Sequence, residues 1–317
     1  LISTVMKNLG IEKKYFKIIS RAASIVSQKY LSTKDDNLLA NAEELIKKCD
    51  MVIFGGAPLF NYAYQNFYER TAVTLEIAQK YNKPVIFSAI GVEGYSEDNE
   101  KCQRLKKALN FDCVKQITTR DGYDFLKQYK ENDEMVIGKV SDPAVFSSEV
   151  FRNFVEVPEA ANNNEENVIE KKKKIGVFIL RANGFKDNGF NFSKKDSAEL
   201  WKGIVKQLES KGYDYELLTS GHFGDEAFLD YLIKNEGIDG SKCVFNINTP
   251  EKLIYKISTY DVVVSCRLHP SIISFSLEVP AVGIVWNSKV ERFYNNIGYK
   301  DRIIGVDGIA PEKVVKK

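Results

Sequence analysis

This 317-residue chain has only two histidines, and it lacks paired cysteine, long apolar runs and an excess of either charge. Lysine and arginine total 45 against 43 acidic residues, and a net charge of +2 gives no electrostatic case for nucleic acid or an anionic membrane surface. The five cysteines, Cys49, Cys102, Cys113, Cys243 and Cys266, are scattered, odd in number and never spaced C-x-x-C. That pattern argues for a reducing cytoplasm and against a zinc site or disulfide frame. Apolar runs such as Pro84 to Val92 and Val262 to Ser265 fall short of the roughly 20 residues a membrane span needs. There is no signal peptide, yet the first residue is Leu1, so the natural amino terminus is expected upstream.

Missing motifs narrow the chemistry. No G-x-G-x-x-G follows a strand, and there is no G-x-x-x-x-G-K-[ST] loop, H-E-x-x-H or G-x-S-x-G. D-x-D, the carboxylate pair that holds the metal in one large class of sugar transferases, is also missing. Nicotinamide, P-loop and zinc chemistries are therefore disfavoured. The expected chemistry uses no metal and no cofactor, and rests on arginine, histidine and backbone amides.

What is present is an alternation of short apolar runs with amphipathic stretches, the pattern of βα units. Strands are predicted at 51–54, 85–90, 114–118 and 135–140, with helices at 37–48, 67–80, 99–109 and 122–130. Phe67, Thr71, Leu75 and Ala78 share one face of the second helix. Residues 157–174, polar and ending in four lysines, read as a solvated linker whose lysines mark a wet strand edge. The rhythm then restarts. Strands are predicted at 175–180, 213–219, 243–247, 262–266, 281–286 and 302–306, and helices at 197–210, 225–234, 250–259, 271–277 and 289–296. The fold class is thus α/β, with two doubly wound Rossmann-like domains, 1–156 and 175–317, facing a central cleft.

The most informative stretch is Val262-Val263-Val264-Ser265-Cys266-Arg267-Leu268-His269-Pro270. A β-branched run reads as a buried parallel strand, so Arg267 and His269 stand at its carboxyl end. Ligands bind there in open α/β sheets, and His269 is one of only two histidines in the chain. A helix-capping histidine beside a surface arginine explains the same residues. Gly55 and Gly56 end the strand at 51–54, where they let a ligand approach the amides or simply make a βα turn. Gly91 is a weaker case of the same kind. Arg181 ends the strand at 175–180 and offers a planar fork for a carboxylate or phosphate. His222 lies in a glycine-flanked loop, and Lys289 is either an anion partner or a first-turn helix lysine. Arg120 and Asp121 read either as a site group or as a helix start with Asp121 as cap, the second being the commoner use of an Arg-Asp pair.

Taken in order, these pieces resemble the polysaccharide pyruvyl transferase family. Asp50 to Ala57 is similar to the family's strand ending in Gly-Gly-Gly, and Lys83 to Val92 to its Gly-Val strand. Thr119-Arg120-Asp121 resembles its Arg-Asp turn, and Ser141 to Ala144 its Asp-Pro step. The most specific block is Val264 to His269, continuing through Val279 to Val282 and Ser288-Lys289-Val290. Two departures stand out: Ala57 replaces the third glycine, and an Asn-x-Gly-Asp loop after the first strand is not visible.

The resemblance implies a fold of the glycosyltransferase-B type and transfer of a pyruvyl group from phosphoenolpyruvate, a co-substrate, to a saccharide or lipid-linked saccharide. It places the acceptor on the N-terminal domain, including loops 61–65 and 93–98, and the donor on the C-terminal one. Arg181, Arg267 and His269 correspond to family site residues, with His269 catalytic. The implied setting is polysaccharide biosynthesis at the cell surface by a cytoplasmic protein, with the inner face of the membrane as an alternative station. A nucleotide-sugar glycosyltransferase and an inactive sugar-binding member of the family remain open readings.

Overall fold

Ten parallel strands fall into two sheets in the computed structural model, which describes residues 26, 28–62, 67–155, 172–306 and 309–316. Two units are distinguished, one within Ile11–Pro143 and one containing Ala144–Lys317. Each sheet is built from βα units, and no helix among the described residues is long and apolar enough to cross a membrane.

The N-terminal unit holds β1 (Val52–Gly55), β2 (Val85–Ile90), β3 (Val114–Thr119) and β4 (Val136–Lys139), in that spatial order and all parallel. Helices Phe67–Lys80 and Glu100–Leu109 bury Leu75, Ala78, Leu105 and Leu109 in a core with Val85, Phe87 and Ile117. Of the predicted face Thr71, Leu75 and Ala78 are buried and Phe67 is half-buried, and Ala72, Val73 and Ile77 widen the buried face. β2 is irregular after Phe87, where Ala89 takes a positive φ of 50°. The Thr118 hydroxyl bridges this bulge, accepting from the Ala89 amide at 3.0 Å and donating to the Phe87 carbonyl at 3.1 Å.

The C-terminal unit holds β5 (Lys174–Phe178), β6 (Asp214–Leu218), β7 (Cys243–Val244), β8 (Val262–Ser265), β9 (Ala281–Val285) and β10 (Ile303–Gly305). Their order is β10-β9-β8-β5-β6-β7, all parallel. The chain leaves β5 toward β6 and β7, then returns to the other side of β5 to lay down β8. The direction of winding therefore reverses between β5 and β8, the topological switch point of a Rossmann sheet. Gly176 in β5 lets the Tyr260 ring approach so closely that a Cβ would sit 2.5 Å from it.

Local chemistry explains the helix limits. Ser193 and Asp196 form a capping box that starts helix Lys194–Ser210 three residues before its predicted position. Thr249 caps helix Pro250–Ser258, with proline in the first turn, where its missing N–H is harmless.

Four expectations are corrected. Residues 144–155 pack with the C-terminal unit although the sequence assigns them to the first domain, because Ala144, Phe151 and Val155 lie against the cluster of Phe178, Leu218 and Ile254. The Ser148 amide also donates to the Ser276 hydroxyl at 3.0 Å. The lysine run does not mark a sheet edge: β5 lies between β8 and β6, and Lys174 pairs with Glu216 at 3.1 Å. The strand predicted at 243–247 shrinks to two residues, since Asn246 takes a positive φ of 64° and breaks the ladder. Helix Leu268–Ser276 begins before the predicted Ser271, because Pro270 is tolerated in the first turn. Linker residues 156–171 and loop residues 63–66 lie outside the described residues.

Candidate active site

The carboxyl ends of β5, β6 and β8 bring three of the expected residues together. Phe178 of β5 is level with Leu218 of β6 and Ser265 of β8, so Arg181, His222 and Arg267 all emerge just beyond one line across the sheet. Each turn is tied locally. The Ser265 hydroxyl accepts from the Arg267 amide at 2.9 Å and donates to the Arg267 carbonyl at 2.8 Å. The Thr219 hydroxyl accepts from the Gly221 amide at 3.1 Å. Gly221 has a φ of +83°, and a Cβ there would stand 2.6 Å from the Ile247 carbonyl oxygen, so the turn into His222 requires glycine.

At the centre of the cluster is Asp225, in the first turn of helix Phe223–Glu236 and 0% exposed. Its Oδ2 accepts from Arg267 Nε at 2.7 Å and its Oδ1 from Arg267 Nη2 at 2.6 Å, a bidentate grip on the guanidinium. The same Oδ1 accepts from the Arg181 amide at 2.8 Å. One buried carboxylate therefore fixes the side chain of one arginine and the backbone of the other. Arg267 is also held from below, its Cζ lying 5.3 Å from the centre of the Trp286 ring. The Trp286 indole N–H donates to the Cys266 carbonyl at 2.5 Å.

Arg181 is differently placed. Its Nη2 pairs with Asp187 Oδ2 at 2.8 Å, with the two side chains 30% and 50% exposed. Its Cδ lies close enough to Gly224 that an added Cβ would meet it at 3.3 Å and the His222 ring at 3.2 Å. Arginine stem and imidazole thus pack over a position that tolerates no side chain without adjustment.

His222 caps helix Phe223–Glu236, its Nδ1 accepting from the Gly224 amide at 3.1 Å. That bond requires an unprotonated Nδ1, so the neutral ring carries its proton on Nε2. Burial pushes the imidazole pKa below its ordinary value; Asp225 opposes the shift, and Arg267 and Arg181 add to it. His222 is therefore a neutral ring at pH 7. With His222 neutral, Arg181 and Arg267 are balanced by Asp187 and Asp225.

His269 is the second residue of helix Leu268–Ser276 and is exposed, two residues beyond Arg267. Lys289 is half-buried in the first turn of helix Ser288–Asn296, its amide donating to the cap Asn287 at 3.1 Å. Gly55 ends β1 in the N-terminal unit and Gly56 follows it, both exposed, with Gly56 at a φ of +69°. Ala57, which stands where the family pattern has its third glycine, has no positive φ, so alanine is accommodated without strain. Gly91 packs against Pro58, where a Cβ would be 3.0 Å from the Pro58 Cα. Arg120 is structural here: its Nη1 pairs with Asp142 at 2.5 Å, while Asp121 Oδ1 accepts from the Val92 amide at 2.9 Å. Asp121 is not the helix cap, a place taken by Gly122.

Sequence reasoning missed Asp225, Asp187 and Trp286. Asp225 reads as an ordinary first-turn helix acid; the one local signal is its spacing of three from His222.

Comparison with known families decides the assignment. The model of the family described as polysaccharide pyruvyl transferase matches residues 4–288, nearly the whole chain. The chain belongs to that family. As a polysaccharide pyruvyl transferase family member it is a transferase, and the family implies saccharide acceptors. No curated protein matches the chain. Among solved structures it is similar to UDP-GlcNAc 2-epimerase from Methanocaldococcus jannaschii, at 13% identity and a TM-score of 0.55, over 89% of this chain and 74% of that one. That likeness shows the fold, two Rossmann-like α/β domains of the kind this family member carries.

Proposed function

We propose that this family member transfers a pyruvyl group from phosphoenolpyruvate to a saccharide, forming a ketal, in the biosynthesis of a cell-surface or extracellular polysaccharide. The observation that carries the reading is the convergence of Arg181 and Arg267 on Asp225 at the switch point of the C-terminal sheet. Phosphoenolpyruvate bears a carboxylate and a phosphate on one small frame, and two arginines tied to one carboxylate suit its two anionic ends. Helix Leu268–Ser276 has no side-chain cap, which favours an anion near its first turn.

In this reading a general acid protonates the donor methylene carbon while one saccharide hydroxyl adds to the central carbon and gives up its proton. A second hydroxyl then displaces phosphate, closing the ketal. His269 is assigned the proton transfers. His222, neutral and donating from Nε2, is assigned to hold an oxygen of the donor, and Lys289 to balance its charge. Gly55 and Gly56 are assigned to the acceptor. No metal or cofactor is required by these steps. The reaction is assigned to the cytoplasm, at or near the inner face of the membrane if the acceptor is lipid-linked.

Calorimetric titration with phosphoenolpyruvate tests the donor, with UDP-GlcNAc, the compound in the structural neighbour's name, as comparator. Arg267→Ala is a poor control because it strands the buried Asp225 charge; Arg267→Lys keeps the charge and loses the fork. Binding weakened at least tenfold by Arg267→Lys is expected, followed by phosphate release with a saccharide acceptor. His269→Ala is expected to depress turnover far more than donor binding. Affinity for UDP-GlcNAc with none for phosphoenolpyruvate would transfer the assignment to glycosyl transfer. Saccharide binding with neither donor would leave a sugar-binding protein.

A further inference from the structure

The two arginines at the switch point are paired with carboxylates of opposite character. Asp225 is fully buried, accepts three hydrogen bonds within the cluster and has no route to solvent. Asp187 is half-exposed, sits on the short 3-10 turn Lys186–Asn188 and meets Arg181 through one ion pair. A solvated pair of that kind contributes little and exchanges readily, whereas a buried one cannot be opened without stranding charge.

We propose that Asp187 is a place-holder on Arg181, a carboxylate that the anionic donor must displace in order to bind. The proposal rests on the reading of Arg181 as a donor grip. With His222 neutral, two guanidinium charges face two carboxylates, so the cluster has no net positive charge to offer a multiply charged anion. Asp225 cannot leave. Asp187 can, and its departure is what frees the Arg181 fork. Asp187 therefore lowers donor affinity while suppressing weaker anions, which compete poorly with a carboxylate only six residues away. Substitution at Asp187 improves binding, the reverse of what a structural ion pair predicts.

The test is titration of the full chain with phosphoenolpyruvate. Asp187→Asn and Asp187→Ala are each expected to tighten binding about three- to tenfold by removing both the competitor and a repulsive charge. Glu199→Gln, another exposed acid of the same unit, paired with Lys202, is expected to leave affinity unchanged. In an Arg181→Ala background the Asp187→Ala gain is expected to vanish, since the two changes act through one contact. Wild-type binding that both Asp187 variants leave equal or weaker, with unchanged melting temperature, overturns the place-holder and leaves the donor reading standing. Phosphoenolpyruvate bound by neither wild type nor Asp187→Ala overturns the donor reading and the place-holder with it.

Discussion

The two units end their strands in different ways. In the C-terminal unit the strand ends carry charge pinned by charge: Arg267 and the Arg181 backbone on Asp225, and His222 capping the same helix. In the N-terminal unit they carry backbone turns, with Gly56 at positive φ, a bulge at Ala89, and an Arg120–Asp142 pair that ties two turns together. The sheets differ in the matching way. β1 to β4 advance in one direction, while the other sheet reverses at β5, and the charged residues stand beside that reversal, where ligands bind in open α/β sheets. A small polyanion calls for fixed cations at a crevice; a saccharide, uncharged and rich in hydroxyls, is suited to backbone groups reached over glycine.

The largest test of this contrast is removal of the central carboxylate. Asp225→Ala leaves the largely buried Arg267, its side chain 16% exposed, without its partner and is expected to cost about 3–5 kcal/mol in urea or thermal unfolding, and to abolish phosphoenolpyruvate binding. Asp142→Ala strands Arg120, whose side chain is 11% exposed, and is expected to cost about 2–3 kcal/mol while leaving the donor titration unchanged. A loss of donor binding in both variants would erase the difference between the units.

A smaller effect sharpens the same contrast through glycine. Gly221→Ala meets both a positive φ and a carbonyl oxygen, and a cost of about 1–3 kcal/mol is expected together with weaker donor binding. Gly55→Ala meets nothing within 4 Å, so a stability change within about 0.5 kcal/mol is expected. If Gly55 admits the acceptor, saccharide-dependent turnover falls in that variant even though its unfolding curve does not move.

The smallest effect is in pH. Because burial holds His222 below its ordinary pKa of 6.5, the unfolded chain takes up the proton first on acidification. The stabilising contribution is complete above that ordinary value and is lost as pH falls through the lower folded one. Wild type is expected to lose more melting temperature than His222→Asn between pH 7.5 and 5.5. Equal losses would mean that the imidazole is solvated like a free side chain.

Much of the fold was legible because parallel strands buried on both faces are written as unbroken apolar runs, so β2 and β8 stand out in the sequence. The limits that slipped did so where one local bond decides them, as with the Ser193 box and the left-handed Asn246. Residues 144–155 were misassigned because they carry no periodicity of their own and are placed by contacts with residues more than 100 positions away. The candidate site was legible in part for the same reason. Arg181, His222 and Arg267 each announce themselves at a strand end, but Asp225 acquires its meaning only when three separate turns close around it.

The guanidinium of Arg267 is clasped along two of its donor atoms by a carboxylate and rests over an indole. Its rotamers are thus already frozen by the fold itself, so an arriving ligand does not have to immobilise it. Arg181, held by a single solvated contact, still has that freedom to lose. Calorimetry at several temperatures is then expected to find the entropic penalty of capture concentrated at Arg181, with Arg267 acting as a rigid edge against which the ligand is oriented.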